Sequence, residues 1–219
     1  MTDGRHGSQK IPPNKLKIIR VKEAKSERKF LGIDNFYNFD IEDGTLGKIS
    51  EGRKKEIITK LINLIETYKP NVIFSPAKTE AHVDHRTTHQ FGREAIKKLT
   101  YKPFEIYYVV WLFPFLKQNP GAIERVLRAP IDKWWKKKKR TIKLHISQER
   151  EGRYSQLADG LNSYFSLIYS TYRKKTCDKV EVLAGYKINK NYDLFVRDLK
   201  GIEDEFQILI GRKSEKIKA

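Results

Sequence analysis

The chain has 219 residues, 39% of them hydrophobic, enough to enclose the core of one compact domain. Its 45 Lys and Arg against 27 Asp and Glu leave a net charge of +18, which draws anionic partners of any kind and selects none of them. A single cysteine, Cys177, excludes an internal disulfide and a cysteine-rich metal site; with no apolar run near the ~20 residues that cross a bilayer and no secretory leader after Met1, the expectation is a cytoplasmic protein.

In chain order, Ile18 to Leu31 carries a helical pattern that Gly32 stops. The run Asn35-Phe36-Tyr37-Asn38-Phe39 then reads as a strand, ahead of the turn signal Asp43-Gly44. From Arg53 to Thr67, Ile57, Ile58, Leu61, Ile62 and Ile65 recur at helical spacing, and Lys69-Pro70 ends that helix. Asn71-Val72-Ile73-Phe74-Ser75-Pro76 is a short apolar run of the kind that forms a strand covered on both faces. Phe91, Ala95, Ile96 and Leu99 again share one helical face, and Glu105 to Trp111 is a further strand, rich in Ile, Tyr and Val.

The basic run from Trp134 to Arg140 is read as a solvated face whose tryptophans pack inward; contact with nucleic-acid phosphates is the competing reading. Residues 147 to 172 read as one helix, with Gly152 and Gly160 inside it. Phe206 to Ile210 reads as an edge strand and 213–219 as a loose basic tail. No internal repeat, linker or domain boundary interrupts the chain.

The chemistry concentrates in Ala81-His82-Val83-Asp84-His85-Arg86-Thr87-Thr88-His89, directly after the apolar strand. In open α/β sheets ligands bind beyond the carboxyl ends of the strands, and residues 77 to 85 occupy that position. Imidazoles beside a carboxylate suit a metal or a proton-transfer site. The competing reading makes Asp84 a helix cap and the histidines exposed loop residues. His89, four residues after His85, is expected at the surface, because no H-E-x-x-H glutamate accompanies it. A catalytic zinc takes three protein ligands, and this cluster supplies one of them convincingly.

Four stretches together resemble the LmbE-like/PIG-L family of zinc-dependent N-deacetylases. Thr2-Asp3-Gly4 with Gly7-Ser8 is similar to the family's T-D-G loop, and Arg20-Val21-Lys22-Glu23 followed by Phe30-Leu31-Gly32 to its R-x-x-E…LG helix. Lys69 to Pro76 with His82-Val83-Asp84-His85 resembles its strand and H-x-D-H motif, and Lys139 to His145 with Ser147-Gln148 its K…H-x-S-Q element. The resemblance ends near Gln148.

It implies a Rossmann-like α/β fold, with a mostly parallel sheet and helices on both faces. It also implies metal-dependent removal of an N-acetyl group from an N-acetylglucosamine-type substrate, with Zn2+ or another divalent ion as cofactor. By motif, His85 is the metal ligand. His82 stabilises the oxyanion or acts as general acid, Asp84 holds its tautomer, and Arg20 and Asp43 face the sugar.

The family's H-P-D-D-E motif, which supplies further zinc ligands and the general base, has no counterpart in this sequence. The expectation is therefore a domain over residues 1–219 that lacks its N-terminal βα unit and turns over poorly alone. Two explanations stand: a start codon placed too late, or a shortened relative with altered activity. The alternative function is a non-catalytic module that holds an anionic glycan, lipid headgroup or nucleic acid on the basic surface, and a homo-oligomer is compatible with either.

Overall fold

The computed structural model describes residues 1–78, 80–108, 110, 125–173 and 176–185. In chain order they form α1 (Pro13–Leu31), a 3-10 turn (Leu46–Lys48), α2 (Glu51–Tyr68), β1 (Val72–Pro76), α3 (Val83–Lys97), β2 (Phe104–Tyr108), β3 (Arg125–Pro130), α4 (Asp132–Lys143), α5 (Ile146–Gly152), α6 (Tyr154–Arg173) and β4 (Val180–Gly185). Contacts divide them into two compact units: Met1–Ile49 with Ile131–Val180, and Ser50–Pro130 with Glu181–Ala219.

The second unit holds the sheet, and the fold is mixed α/β. β1 and β2 pair in parallel, Val72 opposite Phe104 through Pro76 opposite Tyr108, with α3 as the crossover between them. β4 then joins β2 antiparallel, and the strand order is β1-β2-β4-β3. α2 starts where Ser50 Oγ accepts the Arg53 amide and ends where Lys69 turns left-handed. Its apolar stripe buries Ile57 and Ile58, while α3 buries Phe91, Ala95 and Ile96. Each of these isoleucine and phenylalanine side chains contributes about 1.5–3 kcal/mol. β1 is less enclosed than its composition implies: Phe74 is 57% exposed, since β1 ends the described strand order and this side chain faces outward.

The first unit is helical. α1 begins at Pro13, five residues earlier than its apolar pattern suggests, because proline is favoured in a first turn whose amides have no helical partner. It ends at Gly32, whose φ of 71° is the left-handed cap its sequence predicts. No strand forms at 35–39. Phe36 and Tyr37 are about half exposed there, and the ordered pairing is the parallel bridge of Thr2 with Ile41.

The helix expected over 147–172 is two helices. Arg153 turns left-handed at φ 46° and breaks it, and the glycine inside α6 is Gly160. The tryptophans of α4 divide as well. Trp135 lies under the ammonium groups of Lys139 and Lys179, at 5.8 and 5.0 Å, whereas Trp134 is 47% exposed. Among the described residues no helix is long and apolar enough to cross a membrane. The expected strand at 206–210, the tail at 213–219 and the end of the 105–111 strand at Val109 and Trp111 lie outside the described residues.

Candidate active site

In the second unit β1 stops at Pro76 and the chain loops to α3 through residues 77–82. The loop is pinned at both ends: the Ala77 amide donates to Tyr108 O at 2.8 Å, and Arg86 Nη1 donates to the carbonyls of Glu80 and Ala81 at 2.7 and 2.5 Å. α3 then begins with His82, not Asp84, as its N-cap: the ring Nδ1 accepts the Asp84 amide at 3.2 Å. Asp84 falls in the first turn, buried, where the unpaired amides of the helix end favour a carboxylate.

His82 and His85 lie with ring centroids 5.0 Å apart, and their neighbours give them opposite tautomers. Because Nδ1 of His82 accepts a hydrogen bond, its neutral ring carries the proton on Nε2. His85 is arranged the other way. Its Nδ1 donates to Oε2 of Glu80 at 3.1 Å, which leaves the lone pair on Nε2. Glu80 is wholly enclosed, its second oxygen accepts the Val110 amide, and it gives His85 the carboxylate backing typical of metal-bound histidine. One imidazole is thus shaped to donate a proton and its neighbour to donate a lone pair.

His89 is not the expected surface residue. It is 7% exposed, donates Nδ1–H to Pro76 O at 2.9 Å and meets Tyr107 edge-on, with centroids 4.9 Å apart. Burial pushes its pKa below the usual 6.5, and the bond to Pro76 only partly opposes this. It ties α3 to the end of β1, which is a structural task.

Arg20 and Asp43 belong to the first unit, and one short loop holds both. Asp3, its side chain wholly enclosed, accepts the Asp43 amide at 3.3 Å and pairs with Arg5 at 2.6 Å. Burial works to raise the Asp3 pKa, but the Arg5 bonds and charge outweigh it and hold the carboxyl below its ordinary value. The next residue, Gly4, has φ 66°, and a Cβ there would stand 3.0 Å from Arg20 Nε.

Arg20 also joins two motifs far apart in sequence. Its Nη1 donates to Glu23 Oε2 at 3.2 Å and to His145 Nδ1 at 3.0 Å, while His145 Nε2–H donates to Glu27 at 2.9 Å. Buried Glu23 accepts both the amide and the hydroxyl of Ser147, at 2.7 and 2.9 Å. Gln148 Nε2 reaches Gly7 O at 2.7 Å. The T-D-G, R-x-x-E and H-x-S-Q stretches therefore converge on one hydrogen-bonded cluster.

Sequence reasoning singled out His82, Asp84 and His85, which the structure brings together on the first turn of α3. It missed Glu80. The only signal was a carboxylate five positions ahead of His85, a spacing without periodic meaning until the loop folds it under the ring.

A family model described as "PIG-L: GlcNAc-PI de-N-acetylase" matches residues 1–96. Among solved structures, the chain is similar to an N,N'-diacetylchitobiose deacetylase from Pyrococcus horikoshii at 18% identity and TM-score 0.61, covering 89% of this chain and 75% of that one. It is similar to a 4-carboxy-2-hydroxymuconate hydratase from Pseudomonas putida at 18% identity and TM-score 0.62, covering 86% and 83%. A conserved protein from Thermus thermophilus aligns at 19% identity and TM-score 0.61, covering 84% and 78%. Deacetylase and hydratase share this fold, so the reaction has to be argued from the residues.

Proposed function

Residues 1–96 are a PIG-L (LmbE-like) family domain, and from that premise we propose that the chain is a metal-dependent hydrolase that removes the acetyl group from an N-acetylglucosamine-type substrate. The observation that carries the reading is the pair Glu80–His85: an enclosed carboxylate accepts the Nδ1–H hydrogen bond, which leaves the lone pair on Nε2 of a ring that is 30% exposed. A neutral imidazole fixed in this way fits a divalent ion in donor type, with Zn2+ the expected one. When bound, such an ion polarises the acetamide carbonyl and lowers the pKa of the attacking water.

This chain's own residues supply the rest. His82 presents Nε2–H, a hydrogen-bond donor that stabilises the developing oxyanion. Asp84 keeps that proton on Nε2 through its backbone amide, bound to Nδ1. By the family resemblance Arg20 and Asp43 are assigned to the sugar; the Asp43 amide is held by Asp3, and the Arg20 side chain is 25% exposed. The sequence has no H-P-D-D-E stretch, so turnover by this chain alone is expected to be slow. The test reads acetate release from N-acetylglucosamine glycosides together with Zn2+ affinity, in wild type and His85→Ala. Both are expected to fall in the variant, and Zn2+ binding that ignores His85 overturns the reading.

A further inference from the structure

The outward face of helix α4 has no part in the deacetylase reading, yet the helix carries the highest net charge of the elements described. Its inward side is satisfied within the first unit: Lys138 Nζ donates to Asn162 at 3.1 Å, Lys139 pairs with Asp159 at 2.8 Å, and Trp135 lies beneath two ammonium groups. Its outward side is different. Lys136, Lys137, Arg140 and Lys143 are all exposed and, at 3.6 residues per turn, fall on one arc with exposed Trp134 beyond its border. Like charges at these spacings repel one another along a helix, so the face costs stability unless an anionic surface covers it.

The neighbouring helices continue this character. Arg140 stacks on Phe30 of α1, 4.8 Å from the ring centroid. Between α1 and α5 runs a groove of about 340 Å³, with Ile11, Ile19 and Ile146 on its lining and Lys22 and Arg150 among its cations. Of the aliphatic side chains on these two helices, Ile146 lines the groove and is 53% exposed, and Ile18 of α1, one helical turn before Lys22, is 59% exposed.

We infer that this face of the first unit docks on an anionic lipid bilayer. Four exposed cations on one helix match the headgroup charge, and clustered Lys and Arg on an amphipathic helix are the pattern acidic lipids attract. Trp134 is suited to the headgroup level, and Ile18 and Ile146 to the boundary beneath it. A nucleic-acid duplex would meet the same cations. It offers nothing apolar to the two isoleucines along its phosphates, and the exposed arc of α4 carries no Asn or Gln to read base edges.

The test is co-sedimentation of the full chain with vesicles of phosphatidylcholine alone and of equimolar phosphatidylcholine and phosphatidylserine. Binding to the acidic vesicles alone, weakening as salt rises, is expected. At about 1 kcal/mol, or roughly fivefold, per lysine, Lys136→Gln with Lys137→Gln should weaken it about 25-fold. Trp134→Ala should weaken it further without changing its salt dependence. Lys97→Gln with Lys98→Gln, an exposed pair at the end of α3, removes equal charge and should bind as wild type. Four outcomes overturn the inference: no sedimentation with acidic vesicles, equal sedimentation with neutral ones, equal weakening by the Lys97 and Lys98 pair, or release from acidic vesicles by an equivalent charge of duplex DNA.

Discussion

Glu80 Oε2 and His85 Nδ1 meet at 3.1 Å, the carboxylate shut away from solvent and the ring side chain 30% exposed. The pair is a hinge of chemistry across one loop: the acid never reaches a ligand itself and acts by deciding which nitrogen of the imidazole is bare. Glu80→Gln keeps the shape and removes the charge. Metal affinity, read by competition with a chromophoric chelator, is expected to fall about 10- to 100-fold.

His82 has two tasks that one substitution separates. As N-cap its ring accepts the Asp84 amide, and as a catalytic group it offers Nε2–H. Asparagine caps helices well but is no proton donor of comparable acidity. His82→Asn should therefore leave the unfolding free energy from urea titration within about 0.5 kcal/mol of wild type. Acetate release should fall roughly 10²- to 10³-fold, the cost of one lost oxyanion donor. A large loss of stability with retained turnover would assign His82 to the cap alone.

The buried ring of His89 predicts a pH dependence with a definite sign. Its folded pKa lies below 6.5, so the unfolded chain binds the proton more readily. The stabilisation is complete above the unfolded value of 6.5 and is lost as pH falls from there through the depressed folded value. Urea unfolding at a series of pH values should show wild type weakening over that interval. The difference between wild type and His89→Gln should carry the slope.

Glu23 is a buried carboxylate with three donors: Arg20 Nη1, the Ser147 amide and the Ser147 hydroxyl. Removing it leaves the amide and hydroxyl of Ser147 without this acceptor and Arg20 without its anionic partner, and breaking a buried charged network of this kind costs about 3–5 kcal/mol. Glu23→Ala should lower stability on that scale in urea titrations. Ser147→Ala, which deletes only the hydroxyl bond, should cost about 1–3 kcal/mol.

The elements legible in the sequence are those whose signal is local. The α2 stripe of Ile57 and Ile58, the β1 run and the α3 face of Phe91, Ala95 and Ile96 appear as their spacing predicts, because one amphipathic period suffices to specify each. The α/β fold class was legible from the order of these elements together with the family resemblance. The errors come from context. Phe36 and Tyr37 have the composition of a strand but no neighbouring strand to pair with among the described residues, and the 147–172 pattern runs through a break that depends on Arg153 turning left-handed. Glu80 and the Arg20–His145 bond were invisible because they are made by folding, across a loop in one case and 125 positions of chain in the other.

That last separation has a consequence for how the protein is made. The partners of α1 are α4 and α5, so its acceptor Glu23 leaves the ribosome 124 residues ahead of Ser147. At about 5–20 residues per second that is roughly 6–25 s of translation. During this time β1, α3 and β2, whose contacts are mutual and close in sequence, emerge complete and are free to assemble. Biogenesis therefore runs from the middle of the message outward, and a nascent α1 waits with its acid side chain in water until the later helices arrive to close over it.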